Sequence, residues 1–285
     1  MRAGMIGLGA MGLGMAANLA EAGYLAAVYN RTTAKAHDFA QPLDVVVYEK
    51  PEQLAAQVDI VLLCVSADND VLSLVQAIAG SIRPGSVVVD MSTVSSETAV
   101  QAAALLEERQ VAFLDAPVSG GVEGAKNGTL SMMVGGDEQA LEKVRLVLEA
   151  MTARIIHIGP TGTGQATKAV NQVMCAGINQ AVTEALAFAA AQQLPMAQVL
   201  EAVAGGAAGN WFLDHRGASM TNGVFAPGFK LALHHKDLKI CQAMAEQVGS
   251  HLPLTDATVL AYRQLMAEGF GEEDISALYR LKHLE

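Results

Sequence analysis

The chain has 285 residues, of which 52% are hydrophobic and 16% are charged, and its formal net charge is −11. Since about 25% of residues are charged in an ordinary soluble domain, so few charges indicate extensive burial that includes a subunit interface. The negative charge argues against nucleic acid and anionic membranes as partners, because both bind basic surfaces. A homodimer or homotetramer is expected.

Cysteine and histidine usage gives no sign of a disulfide or a metal site. Cys64, Cys175 and Cys241 lie far apart and form no CxxC pair, which is typical of a reducing cytoplasm. The histidines show no HExxH spacing, so no metal is expected, and His234 and His235 are interpreted as packing or surface residues. Beyond the N-terminal segment, no run reaches the roughly 20 uninterrupted apolar residues of a membrane span. A cytoplasmic protein without a membrane partner is expected.

Residues 1–160 alternate short apolar runs with amphipathic stretches. This alternation predicts βαβ units, hence an α/β domain with a largely parallel sheet and helices on both faces. The predicted strands are Ala3–Gly7, Leu25–Tyr29, Asp59–Val65, Ser86–Asp90, Ala112–Ala116, Leu130–Val134 and Ile155–Ile158. The predicted helices between them include Ala67–Ala79, Glu97–Arg109 and Glu138–Met151.

The first strand is followed by "GLGAMG", a GxGxxG pattern at a strand–turn–helix junction. Its first glycine allows the tight turn, its second lets the backbone approach a pyrophosphate, and its third lets the helix pack against the strand. Free N–H groups at the helix start bind the phosphates. The context predicts a Rossmann-type dinucleotide-binding domain, and the candidate cofactor-binding residues of this turn are Gly7, Gly9, Ala10, Met11 and Gly12.

The end of the second predicted strand indicates which nicotinamide cofactor is used. NAD sites usually place Asp or Glu there, whereas this chain has Asn30, Arg31 and Thr32. A neutral Asn30 does not repel a 2′-phosphate, and Arg31 offers it a permanently charged, planar partner. NADP(H) is therefore favoured and NAD(H) remains possible, with a solvated loop arginine as the alternative interpretation of Arg31. Val65, at the end of the third predicted strand, is a further candidate cofactor contact.

After Ile158 the strand pattern stops, and the sequence becomes helical in period. A long helix is predicted from Gly164 to Gln193, followed by a set of shorter ones. These are Met196–Ala204, Asp237–Val248, Asp256–Glu268 and Glu273–Leu281. The simplest organisation has a nucleotide-binding domain over residues 1–161, then a long inter-domain helix and an all-α domain over residues 162–285, which would bind substrate and form the oligomer.

The long predicted helix has one narrow polar stripe on a mostly apolar circumference. At about 100° per residue, Lys168 shares that stripe with Asn171, Gln172 and Asn179. A solvated helix face would have several charges, so one ammonium group among amides predicts a lysine held out of water. Burial and the nearby helix N-terminus both disfavour its charged form, which suits a general acid–base group.

Five segments, in order along the whole chain, resemble those of the β-hydroxyacid dehydrogenases. That family includes 3-hydroxyisobutyrate dehydrogenase, tartronate semialdehyde reductase and the glyoxylate/succinic semialdehyde reductases. The segments are "GLGAMGLGMAANL" (7–19), "DMSTVS" (90–95), "DAPVSGGVEGAKNGTL" (115–130), "GTGQATKAVNQ" (162–172) and "FKLALHHKDL" (229–238). The third and fourth are the most specific.

The resemblance implies a catalytic acid/base at Lys168. The segment that it implies for binding the substrate carboxylate is Ser119, Gly120 and Gly121. Asn171 would hold Lys168 or the substrate oxygen. Many family members have Asn where this chain has Gln172, and the KxxNQ form resembles tartronate semialdehyde reductases, so either Asn171 or Gln172 would position the substrate hydroxyl.

The resemblance also implies two further cofactor contacts. Thr93 would contact the nicotinamide half, and Lys236, with Asp237 beside it, would approach the cofactor. The Asn30-Arg31 pair looks like that of the NADPH-using semialdehyde reductases. Gln172 instead suggests the tartronate semialdehyde reductases, so the two features indicate slightly different subfamilies. The exact substrate therefore stays open.

The expected activity is hydride transfer between NAD(P) and a short aldehyde acid, interconverting a 3-hydroxy or ω-hydroxy acid and its semialdehyde. One alternative is a 6-phosphogluconate-dehydrogenase-like or imine-reducing relative. The helical half is poor in the basic residues that a phosphorylated substrate needs, and Lys168 argues against imine reduction. A non-catalytic NADP-binding scaffold is the second alternative.

Overall fold

The structure is a computed structural model that describes residues 1–282. The chain divides into two compact units, Met1–Lys168 and a second unit that begins at Ala169. Strands occur in the first unit. They are β1 (Ala3–Ile6), β2 (Leu25–Tyr29), β3 (Val46–Val47), β4 (Ile60–Leu63), β5 (Val87–Asp90), β6 (Ala112–Asp115), β7 (Val118–Ser119), β8 (Leu130–Gly135) and β9 (Thr152–Gly159).

The strands form one sheet in the order β3-β2-β1-β4-β5-β6-β8-β7, and β9 pairs with β8. The pairs from β3 to β6 are parallel, whereas β8 is antiparallel to both β6 and β7. The predicted fold class, a largely parallel α/β sheet followed by helices, is confirmed. Parallel order from β3 to β6 puts the carboxyl ends of these strands on one edge, where open α/β sheets bind ligands.

Seven helices of the described first unit cover the sheet. They are α1 (Ala10–Glu21), α2 (Thr33–Ala40), α3 (Pro51–Ala55), α4 (Asp68–Ile78), α5 (Ser96–Glu107), α6 (Gly121–Asn127) and α7 (Glu138–Glu149). Successive residues of β4 pack on opposite faces of the sheet. Leu62 belongs to one apolar cluster, and Val61 and Leu63 belong to another. The central strands are buried on both faces, which explains their unbroken apolar sequences.

Helix α8 (Thr163–Ala191) starts in the first unit and continues into the second. By length and composition alone it is apolar enough to cross a membrane, and 39% of its most apolar window is buried. Core helices of soluble proteins meet the same criteria, so this is weak evidence for a span. The remaining helices are α9 (Met196–Ala204), α10 (Trp211–Thr221), α11 (Leu231–Gln247), α12 (Pro253–Ala267) and a 3-10 helix (Ile275–Lys282).

The second unit has its own apolar core, to which α8 contributes Ala176, Val182 and Leu186. One predicted element is wrong in kind, because the segment Glu273–Leu281, expected as an α-helix, forms the 3-10 helix Ile275–Lys282. A predicted boundary is also wrong. Helix α11 begins at Leu231, six residues before the expected start at Asp237, and Lys230 is its N-cap.

Candidate active site

The glycine turn between β1 and α1 is closed toward the protein and open at its tip. Gly7 has φ of 99°, and a Cβ there would overlap the carbonyl oxygen of Cys64, while one at Gly12 would overlap the carbonyl oxygen of Gly7. Gly9 is the N-cap of α1, and apart from Gly9 itself and its chain neighbours no atom of residues 1–282 lies within 4 Å of where its Cβ would be. Ala10 and Met11 follow as its first turn, so the cradle fits a pyrophosphate.

Asn30 ties the end of β2 to this turn. Its Oδ1 accepts a hydrogen bond from the N–H of Leu8 at 2.9 Å, and its Nδ2 donates to the carbonyl of Thr32 at 3.0 Å. Arg31 has a side chain 86% exposed and lies 3.4 Å from the Asp70 carboxylate. Thr32 is exposed as well. Asn30 thus shapes the turn, while Arg31 is accessible to an anion.

The loop after β5 carries Thr93. Thr93 is partly exposed, while Ser92 and Val94 on either side of it are buried. The Ser92 hydroxyl accepts a hydrogen bond from the N–H of Val65 at 2.9 Å, and the Ser92 N–H donates to Asp90 Oδ1 at 3.0 Å. Val65 and Thr93, two predicted cofactor contacts, are therefore joined through Ser92.

Two buried carboxyl groups lie at neighbouring strand ends, since Asp90 of β5 pairs in register with Asp115 of β6. Burial raises the pKa of Asp90 to about 6, and the nearby Asp115 carboxylate adds to the rise. Burial also raises the pKa of Asp115. Its carboxylate accepts hydrogen bonds from the N–H groups of Gly162 and Gln165 at 2.8 and 2.9 Å, and these lower the pKa by less than burial raises it. Asp115 thereby fixes the start of α8.

Lys168 lies one turn further along α8 and is only 8% exposed. Its Nζ donates a hydrogen bond to the carbonyl of Val118 at 2.9 Å, which agrees with the predicted burial of the polar stripe. Val118 directly precedes Ser119, the first residue of the predicted carboxylate-binding segment. Gly120 and Gly121 follow with φ of 134° and 64°, a backbone path that favours glycine. The lysine ammonium and this segment are therefore neighbours.

In the second unit, a chain of polar side chains starts at Asn171. Its Nδ2 donates to Oε1 of Gln172 at 2.8 Å, and Nε2 of Gln172 donates to Oδ2 of Asp237 at 2.6 Å. Lys236 Nζ is 2.9 Å from Oδ1 of Asp237. Gln172 is 1% exposed with both amide ends engaged, whereas Asn171 is partly exposed. Asn171 is thus the more exposed of the two amides.

His234 has a packing role, as predicted from the sequence. It is fully buried, with Nδ1 3.1 Å from the Tyr262 hydroxyl and Nε2 3.3 Å from the carbonyl of Gln172. These contacts hold α11 against α8 within the second unit.

Three buried polar residues of the first unit, Asp90, Asp115 and Gln165, are not among the predicted site residues. All three are within segments that the resemblance identified, but only as members of a motif. The sequence feature that could have identified them is a carboxyl or amide group inside an otherwise apolar or glycine-rich stretch. Their partners lie across the fold, so the sequence alone did not identify the contacts.

Comparison with known proteins gives two consecutive family matches. Residues 2–159 match the family described as the NAD binding domain of 6-phosphogluconate dehydrogenase. Residues 162–282 match the family described as NAD-binding of NADP-dependent 3-hydroxyisobutyrate dehydrogenase.

Relatives that are named for an activity align over nearly the whole chain. A 2-hydroxy-3-oxopropionate reductase of Escherichia coli is 36% identical, covering 100% of this chain and 98% of the relative. An NAD-dependent L-serine dehydrogenase of Pseudomonas aeruginosa is 35% identical, covering 97% and 96%. The solved structure of Mycobacterium tuberculosis 3-hydroxyisobutyrate dehydrogenase with L-serine superposes with a TM-score of 0.90 at 31% identity, covering 100% of both chains.

Proposed function

The chain belongs to the β-hydroxyacid dehydrogenase family of NAD(P)-dependent oxidoreductases, and on that premise we propose that it interconverts a short 3-hydroxy or ω-hydroxy acid and its semialdehyde. The observation that carries this proposal is the burial of Lys168 beside the Val118–Gly121 segment. A buried ammonium group next to a glycine-rich segment suits proton transfer to a substrate whose carboxylate that segment binds.

Lys168 is the proposed general acid/base. As an ammonium it donates a proton to the alkoxide oxygen that develops during reduction, and as a neutral amine it accepts the hydroxyl proton during oxidation. Asn171, one helical turn later, orients the substrate oxygen through its Oδ1. Gln172 holds Asn171 in place through the hydrogen bonds that end at Asp237. A nicotinamide cofactor supplies the redox chemistry.

The proposed substrate clamp is the hydroxyl of Ser119 with the backbone N–H groups of Gly120 and Gly121. The absence of side chains on the two glycines leaves room for a carboxylate to approach the backbone. This requirement for an acid group would restrict the substrate to short aldehyde acids and their hydroxy acids.

NADP(H) is the proposed cofactor, because the end of β2 offers the exposed Arg31 and no carboxylate at position 30. The glycine turn would hold the pyrophosphate, and Thr32 would add a hydroxyl near the ribose. Thr93 and Val65 would lie at the nicotinamide half, and Lys236 would approach the cofactor.

A cytoplasmic homo-oligomer is proposed, with domains at residues 1–161 and 162–285. Helix α8 exposes an apolar row of four side chains at helical spacing, and exposed apolar rows of this kind are commonly covered by another subunit. The row is Val170, Met174, Ile178 and Phe188. Native mass spectrometry of the purified protein would measure the subunit number.

The proposed activity is tested by measuring NADPH oxidation with each of four substrates, and the assay is repeated with NADH. The substrates are glyoxylate, succinic semialdehyde, tartronate semialdehyde and methylmalonate semialdehyde. Turnover with at least one aldehyde acid is expected, with a higher kcat/KM for NADPH than for NADH. Cofactor binding without turnover on any of the four would instead favour a non-catalytic scaffold.

A further inference from the structure

We propose that Gln165 is a positioning residue, which fixes Thr93 relative to Lys168 by bonding the backbone on both sides of Thr93. This inference rests on the proposed function and concerns a residue to which that function assigns no part. The carboxamide of Gln165 lies in the first unit, 1% exposed, at the start of α8.

Both ends of the Gln165 side chain are bonded to the loop after β5. Nε2 donates to the carbonyl oxygen of Ser92 at 2.8 Å, and Oε1 accepts from the N–H of Val94 at 3.2 Å. The amide thus pairs with the loop as a strand would, and Thr93 lies between the two bonded residues. Since these groups are buried, removing the amide would leave a donor and an acceptor without partners.

The backbone of Gln165 is held just as firmly. Its N–H donates to Asp115 Oδ2 at 2.9 Å, while Asp115 Oδ1 accepts from the N–H of Gly162 at 2.8 Å. At Gly164 there is no room for a Cβ, which would overlap the carbonyl oxygen of Asp115. Gln165 therefore connects the end of β6 to the loop after β5 with little freedom at either end.

Lys168 lies on the same side of α8, because residues three apart on a helix are neighbours. One turn of α8 therefore reaches two loops, with Gln165 bonded to the loop of Thr93 and Lys168 bonded to Val118 beside Ser119. In the proposed reaction Thr93 contacts the nicotinamide and Lys168 the substrate oxygen. Gln165 would thus fix the position of the nicotinamide contact relative to the proton donor.

The test replaces Gln165 with methionine, which keeps the length of the side chain and removes both of its hydrogen bonds. A misplacement of about 1 Å can cost roughly 100-fold in rate, so Gln165→Met is expected to lower kcat by about 10- to 100-fold. The deuterium isotope effect with 4-deuterated NADPH should rise, because hydride transfer becomes slower than product release. The Kd for NADPH should rise by no more than about threefold, because the glycine turn that holds the pyrophosphate is untouched and only the Thr93 contact is displaced.

Two comparisons separate positioning from general damage. Gln180→Met removes a partly buried amide of α8 that donates to Thr258 Oγ1 and accepts from Lys282 Nζ, and it should leave kcat and the isotope effect unchanged. Hydrogen exchange at the Val94 amide, measured by mass spectrometry without substrate, should speed up in Gln165→Met and not in Gln180→Met.

Unchanged exchange at Val94, or faster exchange with wild-type kcat and isotope effect, would overturn the inference. If the wild-type protein turned over none of the aldehyde acids, the proposed function would fail. The exchange measurement would even then decide whether Gln165 holds the Thr93 loop.

Discussion

Asp90→Asn should stabilise the protein at alkaline pH. Burial raises the pKa of this carboxyl from 3.8 to about 6, with the neighbouring Asp115 contributing. Its Oδ2 has no hydrogen-bond partner within residues 1–282, and the hydrogen bonds that the carboxylate accepts from the N–H and the hydroxyl of Ser92 do not offset the burial. The folded chain therefore binds the Asp90 proton more tightly than the unfolded chain does.

The sign and size of the effect follow from that difference in proton binding. The contribution of Asp90 to the free energy of unfolding is greatest below pH 3.8 and is lost as the pH rises to about 6. At about 1.4 kcal/mol for each pH unit, the loss is about 3 kcal/mol. A neutral asparagine keeps the acceptor for Ser92 and avoids the buried charge, so the gain at pH 8 should approach this amount.

Urea unfolding at pH 4 and pH 8 measures the change. Asp90→Asn should be about 3 kcal/mol more stable than wild type at pH 8 and close to wild type at pH 4. Asp44→Asn, at an exposed aspartate, is the control for the altered net charge. Equal destabilisation of Asp90→Asn at both pH values would contradict this prediction, because it would show that the folded protein needs the carboxyl group in either protonation state.

Two further predictions concern ligand contacts. Arg31→Ala should weaken NADPH binding about 10-fold and leave NADH binding unchanged, because a charge-assisted contact to the 2′-phosphate is lost; equal losses for both cofactors in a fluorescence titration would contradict it. Ser119→Ala should raise the KM for the aldehyde acid about 10-fold without changing the Kd for NADPH; steady-state kinetics with an unchanged KM would argue against the clamp.

The sheet and its long helices could be predicted because their sequences are locally consistent. Strands such as β4 and β5 are apolar at every position except Asp90, since both faces of the sheet are covered. Strand β3 has two residues, too few for a pattern, and α6 contains two glycines that disfavour a helix by themselves. Asn18 of α1, which donates to the carbonyl of Ala125 at 2.7 Å, helps to hold α6 in place.

The candidate site could be predicted in part for the same reason. The stripe that contains Lys168 follows from helix periodicity, so its burial was predictable. The contacts of Gln165 join residues more than 70 positions apart, which no local pattern encodes. Likewise the sequence shows that Asn30 is uncharged, which favours NADP(H). Its hydrogen bond to the N–H of Leu8 depends on the pairing of β1 with β2, which the local sequence does not show.

We propose above all that the buried ammonium group of Lys168 transfers the substrate proton. The most direct measurement compares kcat and the Kd for NADPH in the wild type, in Lys168→Ala and in Lys143→Ala, where an exposed lysine of α7 is removed instead. Lys168→Ala should lose about 100- to 10,000-fold in kcat with NADPH binding retained, and Lys143→Ala should match the wild type. Near-normal turnover by Lys168→Ala would exclude Lys168 as the group that transfers the proton.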